Sequence, residues 1–187
     1  MKIAVYCGAS VGNDGKYIAC AKKIGEWLAK EGHTLVYGGG HAGLMGVLAD
    51  TVLKNHGDVI GVIPEFLKNR ELAHTSLTEL FVVEDMHQRK KKMIDLAQCY
   101  IALPGGPGTL EEISEVISWG RIGEHRNPCI LFNEKEYYNP LQHFYQRMVE
   151  EGFLTAEDFS KILFSDSLEE IKSFICSYTP PAIRSYK

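Results

Sequence analysis

A chain of 187 residues, 45% of them hydrophobic, is long enough to bury one sizeable core, and no shift in composition marks a second domain within residues 1–187. A formal net charge of −4 argues against a dedicated nucleic-acid surface, and no uninterrupted apolar stretch approaches a membrane span, so the expected ligand is a small molecule. The cysteines at 7, 20, 99, 129 and 176 are scattered without a C-x-x-C pair, which fits reduced thiols in a cytoplasmic protein rather than a disulfide framework or a zinc site.

The first segment, Met1 to Cys7, reaches glycine after a strand's length of apolar residues, too few for a signal-peptide core. Further strand-like runs follow at Thr34 to Tyr37, Val59 to Ile63, Leu80 to Val83, Cys99 to Leu103 and Cys129 to Phe132, with helical patterns between most of them. The alternation predicts an α/β protein with a mostly parallel sheet and helices on both faces. A first helix is expected over Gly15 to Lys30, capped by Asn13 or Asp14, with Ile18, Ala21, Ile24, Trp27 and Leu28 buried and Gly32 as its stop. A second carries Leu44, Val47, Leu48 and Val52 inward before Gly57. A third begins near Asp85 with Met86, Met93, Ile94 and Ala97, and a fourth runs from Thr109 through Ile113, Val116 and Ile117 to about Gly123. Beyond Asn133, Tyr137 to Glu150 reads as a helix with Leu141, Phe144, Tyr145 and Met148 on one face. Ile162 to Phe164 reads as a short strand, Leu168 to Tyr178 as a helix, and the tail from about 179 as irregular. Pro64 to Thr78 is the one long connection of mixed polarity inside the core region.

Ligands of open parallel sheets bind beyond the C-terminal strand ends, near the reversal of strand order. Three glycine-containing loops leave strands there: Cys7-Gly8-Ala9-Ser10, the run from Gly38 to Gly46, and Leu103-Pro104-Gly105-Gly106-Pro107-Gly108-Thr109-Leu110-Glu111-Glu112. Glycines before a helix start leave backbone N–H groups free for an anion, phosphate above all, and the two carboxylates in what reads as the first helical turn suggest chemistry on the ligand. Glycine also serves simple tight turns, and Thr109 with Glu112 has the spacing of a capping box, so each feature has a purely structural explanation as well. The absent G-x-x-x-x-G-K-[ST] disfavours an ATP-hydrolysing loop. Arg89 stands in the first turns of a helix at the ligand edge, where a guanidinium binds phosphate bidentately, whereas Lys91 and Lys92 read as a solvated face. Met86 and Met93, seven apart, read as core-facing. His41 and His74 show no metal-like spacing with each other or with carboxylates, and no metal is assigned.

Pro104-Gly105-Gly106-x-Gly108-Thr109-x-x-Glu112, preceded by Met86-His87-x-Arg89-Lys90 and by Tyr37-Gly38-Gly39-Gly40 with Gly43-Leu44-Met45-Gly46, resembles the signature of the LOG family of cytokinin-activating phosphoribohydrolases. The resemblance runs through about Phe132. It implies a Rossmann-like, doubly wound fold, a homodimer, and hydrolysis of the N-glycosidic bond of a purine riboside 5′-monophosphate to free base and ribose 5-phosphate. It implies no cofactor; the "lysine decarboxylase" label common among relatives would require a pyridoxal Schiff-base lysine that nothing here marks. Carried over by position, Arg89 and Glu112 are the catalytic pair. Substrate contacts are then Glu71, Lys90, Gly105, Gly106, Pro107, Gly108, Thr109, Leu110, Glu111 and Ser118, with Ser10, Gly39, Gly40 and Met45 from the two earlier loops. Pro107 departs from the aromatic residue common there, and the loop Asn69 to Ser76 does not closely match the family. An adenylate-cleaving enzyme without cytokinin preference and a nucleotide-binding protein without catalysis are the competing expectations.

Overall fold

The computed structural model describes residues 1–68 and 73–183. Seven strands, β1 (Lys2–Tyr6), β2 (Thr34–Tyr37), β3 (Val59–Pro64), β4 (Glu79–Val83), β5 (Cys99–Ala102), β6 (Cys129–Phe132) and β7 (Ile162–Ser165), form one sheet in the order β4-β3-β2-β1-β5-β6-β7. Every pairing is parallel, with Ile3 opposite both Leu35 and Cys99 at the centre. Among the described residues eight helices accompany it: α1 (Gly15–Lys30), α2 (Gly43–Lys54), α3 (Glu65–Lys68), α4 (Met86–Leu96), α5 (Pro107–Ile122), α6 (Asn139–Glu150), α7 (Ala156–Ser160) and α8 (Leu168–Ser177).

Alternate residues of each strand feed two cores. Ile3, Val5 and Cys7 join Ile24, Leu28, Leu48 and Ile171 beneath α1, α2 and α8, while Ala4 and Tyr6 join Met93, Ile113, Val116 and Tyr145 beneath α4, α5 and α6. The period of two along β1 thus serves both faces, as a fully covered parallel strand requires. Asp14 caps α1 by accepting the Lys16 amide, and Gly32, at φ +68°, turns the chain out of it toward β2. The chain winds outward from β1 to β4, and α4 then carries it back across to β5 on the other side of β1. The sequence order therefore reverses between β1 and β5, and the crevice at their C-terminal ends is the expected ligand position.

Several local expectations need correction. Helix α5 begins at Pro107, not Thr109, with Gly106 at the N-cap and no side chain capping it, so the Thr109–Glu112 capping box does not form. Proline is suited to this first position because it has no N–H to leave orphaned. Glu111 and Glu112 consequently stand in the second turn rather than the first. Helix α6 starts at Asn139, preceded by a short 3₁₀ turn at Glu134–Glu136, and Phe144, expected inward, is 57% exposed. The connection after β3 contains α3, and α7 fills the segment before β7; both are too short to show a helical period.

Candidate active site

At the β1–β5 crevice the three glycine-bearing loops meet. The amide of Gly8 donates to the carbonyl of Pro104 at 3.2 Å and that of Leu103 to Tyr6 at 2.8 Å, which locks the loop after β1 to the loop after β5. The Leu44 amide donates to the Gly8 carbonyl at 3.0 Å, bringing the start of α2 against the same loop. A Cβ at Gly43 would stand 2.2 Å from the carbonyl carbon of Ala9, so only glycine permits this approach. The loops enclose a cleft of about 510 Å³, the size of a small-molecule site.

One wall is the start of α5. Pro107 has no N–H, and the amides of Gly108 and Thr109 occupy the next two helical positions, which have no intrahelical partner; Gly106, Pro107, Gly108 and Thr109 all line the cleft. The helix dipole adds to this anion-attracting edge. Thr109 is buried beneath the loop, with its hydroxyl so near Gly105 that a Cβ there would fall 2.2 Å from it. Gly105 itself faces a smaller side chamber shared with Tyr137.

Arg89 forms the opposite wall. Only 5% exposed, it donates from Nη2 to the Gly38 carbonyl at 3.1 Å and from Nη1 to the Met86 sulfur at 3.6 Å, and its Nε is buried without a hydrogen-bond partner among the described residues. A Cβ at Gly38 would lie 1.8 Å from Nη2, so glycine at 38 is what admits the guanidinium. Donors remain on this cation for an anionic or electron-rich ligand. Glu112 and Glu111 also line the cleft. Burial first, and then the Glu112 carboxylate, push the Tyr6 phenol and Cys7 thiol well above their ordinary values, while Arg89 draws Cys7 the other way. The end of β1 thus lies within the fields of both Glu112 and Arg89.

The remaining expected residues divide. Ser10 and Met45 line the cleft. Gly39 and Gly40 do not: Gly39, at φ +75°, packs on Ile63 and Leu80 and accepts the His74 amide, and Gly40 bridges to Ala73. Lys90 is turned away, its Nζ donating to Glu111 at 2.6 Å and Glu115 at 3.2 Å. Burial pushes this ammonium down, but the two carboxylates outweigh it and hold the amine above its ordinary value. Leu110 is 43% exposed outside the cleft, and Ser118 lies on the exposed side of α5, about 10 Å beyond Glu111 along the axis. Glu71 lies outside the described residues. Sequence reasoning placed Gly38 only within its loop and did not single out Val5, Tyr6, Leu67, Met86 or Met93 as cleft residues; the two methionines were assigned to the core, and Met93 serves both.

The fold also brings together His41, Asp50 and His74, with candidate ligand atoms within 4.8 Å of one another, although their sequence spacing gave no sign of it. The Ser76 amide donates to His74 Nδ1 at 3.1 Å, which leaves the proton of the neutral ring on Nε2, 2.9 Å from the Asp50 carboxylate. A metal-bound histidine normally donates its distal N–H instead, so this arrangement is that of a hydrogen-bonded Asp–His pair.

A sequence family described as "Possible lysine decarboxylase" matches residues 45–174. A cytokinin riboside 5′-monophosphate phosphoribohydrolase of Rhodococcoides fascians is 46% identical over 168 residues, covering 89% of this chain and 85% of that protein. One from Arabidopsis thaliana is 42% identical over 179 residues, covering 96% and 84%. Among solved structures, the molybdenum cofactor carrier protein of Chlamydomonas reinhardtii superposes with a TM-score of 0.71 at 15% identity, over 94% of this chain and 98% of that one, a likeness of fold alone. With the cleft built from the residues that carry the family signature, the chain belongs to the LOG family of cytokinin riboside 5′-monophosphate phosphoribohydrolases.

Proposed function

We infer that this chain hydrolyses the N-glycosidic bond of purine riboside 5′-monophosphates, releasing free base and ribose 5-phosphate. The observation that carries the reading is a single cleft at the β1–β5 switch point lined by the free helix start of α5, the buried guanidinium of Arg89 and the carboxylate of Glu112. The helix start attracts the 5′-phosphate through the amides of Gly108 and Thr109. As the C1′–N9 bond lengthens, positive charge develops on the ribose, and Glu112 stabilises it or orients the attacking water. The electrons of the broken bond leave with the base, whose growing negative charge is met by a cation; Arg89 fills that role or holds the phosphate. Water then adds at C1′, and its proton completes the free base and ribose 5-phosphate.

The substrates proposed are adenylate and its N6-prenylated forms, the working unit a homodimer, and the compartment the cytoplasm. Five unpaired cysteines, four of them buried, support a reducing compartment. Leu110, exposed on α5 next to the cleft, supports a covered contact in a dimer, which light scattering tests. No helix of the described residues is long and apolar enough to cross a membrane. The deciding experiment is chromatography after incubation with adenylate, guanylate and prenylated adenylate. Release of free base is expected, and preference for the prenylated substrate marks the cytokinin enzyme. Tight nucleotide binding with no free base would overturn the reading in favour of a binding protein.

A further inference from the structure

Two adjacent tyrosines outside the family signature hold the carbonyls of the glycine loop. Tyr138, 5% exposed, donates from its hydroxyl to the Leu103 carbonyl at 2.6 Å, and Tyr137, 39% exposed, donates to the Gly105 carbonyl at 2.6 Å. The turn that delivers them is strained. Lys135 and Glu136, neither a glycine, both take left-handed φ values, 51° and 60°, a conformation that residues with side chains rarely hold without outside support. Asn133 holds the turn by accepting the Tyr138 amide on Oδ1 at 2.7 Å and donating from Nδ2 to Asn139 at 2.8 Å. The rings stand perpendicular, 5.0 Å apart, and Tyr137 also meets the edge of Tyr17 at 5.8 Å.

The two hydrogen bonds differ in what they control. A trans peptide is planar, so its C=O and N–H point in opposite directions. The carbonyl of Gly105 shares its peptide with the amide of Gly106, and fixing one fixes the other. Tyr137 and Gly105 face the side chamber, whereas Gly106 lies between that chamber and the main cleft. A hydroxyl on the chamber side therefore turns the Gly106 N–H toward the cleft. A peptide between two glycines meets little steric resistance to flipping, so the loop needs an outside restraint to keep this amide in place. The carbonyl of Leu103, by contrast, shares its peptide with Pro104, which has no N–H to aim.

We propose that Tyr137 is a positioning residue that latches the Gly105–Gly106 peptide with its amide facing the cleft, ready for a ligand phosphate. The proposal rests on the phosphate-ester substrate class inferred above. Its test is Tyr137→Phe, which keeps the ring contacts and removes the hydroxyl, with calorimetric binding of ribose 5-phosphate and steady-state cleavage of adenylate as readouts. The dissociation constant for ribose 5-phosphate and the KM for adenylate are expected to rise together by about tenfold, with kcat within about threefold, because an interaction made equally in ground and transition states appears in KM. The melting temperature should move by less than about 2 °C for a half-exposed hydroxyl. Tyr138→Phe is the comparison: it should lower the melting temperature by orphaning a buried carbonyl and leave the ribose 5-phosphate affinity within about twofold. Unchanged affinity in Tyr137→Phe, or an equal loss in both variants, would overturn the latch, as would a wild-type protein that binds no ribose 5-phosphate. A wild type that binds it but never cleaves adenylate would overturn the hydrolase reading alone, with the binding arm still deciding the latch.

Discussion

Glu112 and Glu111 are neighbours with separable roles. With α5 starting at Pro107 behind the Gly106 N-cap, Glu112 is not a capping side chain, whereas Glu111 is tied to Lys90 at 2.6 Å. Glu112→Gln is therefore expected to lower kcat by about 10²- to 10³-fold, the usual effect of removing one group aimed at developing charge. Glu111→Gln should instead cost stability and spare most of the turnover; steady-state kinetics and thermal melts of the two variants decide, and full turnover in Glu112→Gln would sink the assignment. Gly38 offers a way to displace Arg89 without mutating it. Because a Cβ there would lie 1.8 Å from Nη2, Gly38→Ala should push the guanidinium off its carbonyl. A fall in kcat/KM approaching that of Arg89→Ala, about 10²-fold or more, is expected with the fold intact by circular dichroism. Wild-type kinetics in Gly38→Ala would mean the guanidinium placement is immaterial.

Helices α4 and α5 carry the two walls of the cleft, and Lys90 joins them through Glu111 and Glu115. Lys90→Met keeps the stem and removes the ammonium, leaving Glu115 uncompensated with one carboxylate oxygen already buried without a hydrogen bond among the described residues. A loss of about 1–3 kcal/mol is expected, discounted for the exposure of Glu111, and measurable by urea unfolding; an undiminished midpoint would show the clasp to be idle. This pairing also shows where sequence reading stops. Most strand and helix spans were legible because apolar periods of two and 3.6 are set by local burial, as in β1 and α1. The direction of Lys90 was not, since adjacent helical residues diverge by about 100° and Arg89 takes the cleft. Nor was the start of α5, where a Pro-Gly pair before Thr109 concealed two helical residues behind a plausible cap. The separation of Ser118 from the cleft, about 10 Å along α5 from Glu111, was equally hidden. His41, Asp50 and His74 meet only through the packing of distant segments, which no spacing rule encodes.

On the scale of the whole molecule, the two covered faces that build the switch-point cleft also bury acids at their ordinary protonation. Burial raises the thiols of Cys7, Cys99 and Cys129 and the phenols of Tyr6, Tyr37 and Tyr138, and pushes Tyr100 up to about 12. In each, the folded value lies above the unfolded one, so the folded state retains its proton when the unfolded chain has already released it. The stability they contribute is full below the ordinary thiol value of 9.0 and is lost as pH rises past it toward the phenol value of 10.0 and above. Lys90, also raised, adds to the same limb only above its ordinary value of 10.5. Each such group contributes a slope of up to about 1.4 kcal/mol per pH unit, and the slopes add. Unfolding free energy, followed by urea titration under reducing conditions, is therefore expected to be nearly level between about pH 7 and 8 as far as these groups are concerned. It should then fall by several kcal/mol between about pH 9 and 10.5. A chain whose stability stayed level to pH 10.5 would have these side chains in contact with water, and the sheet could not then be covered on both faces as described.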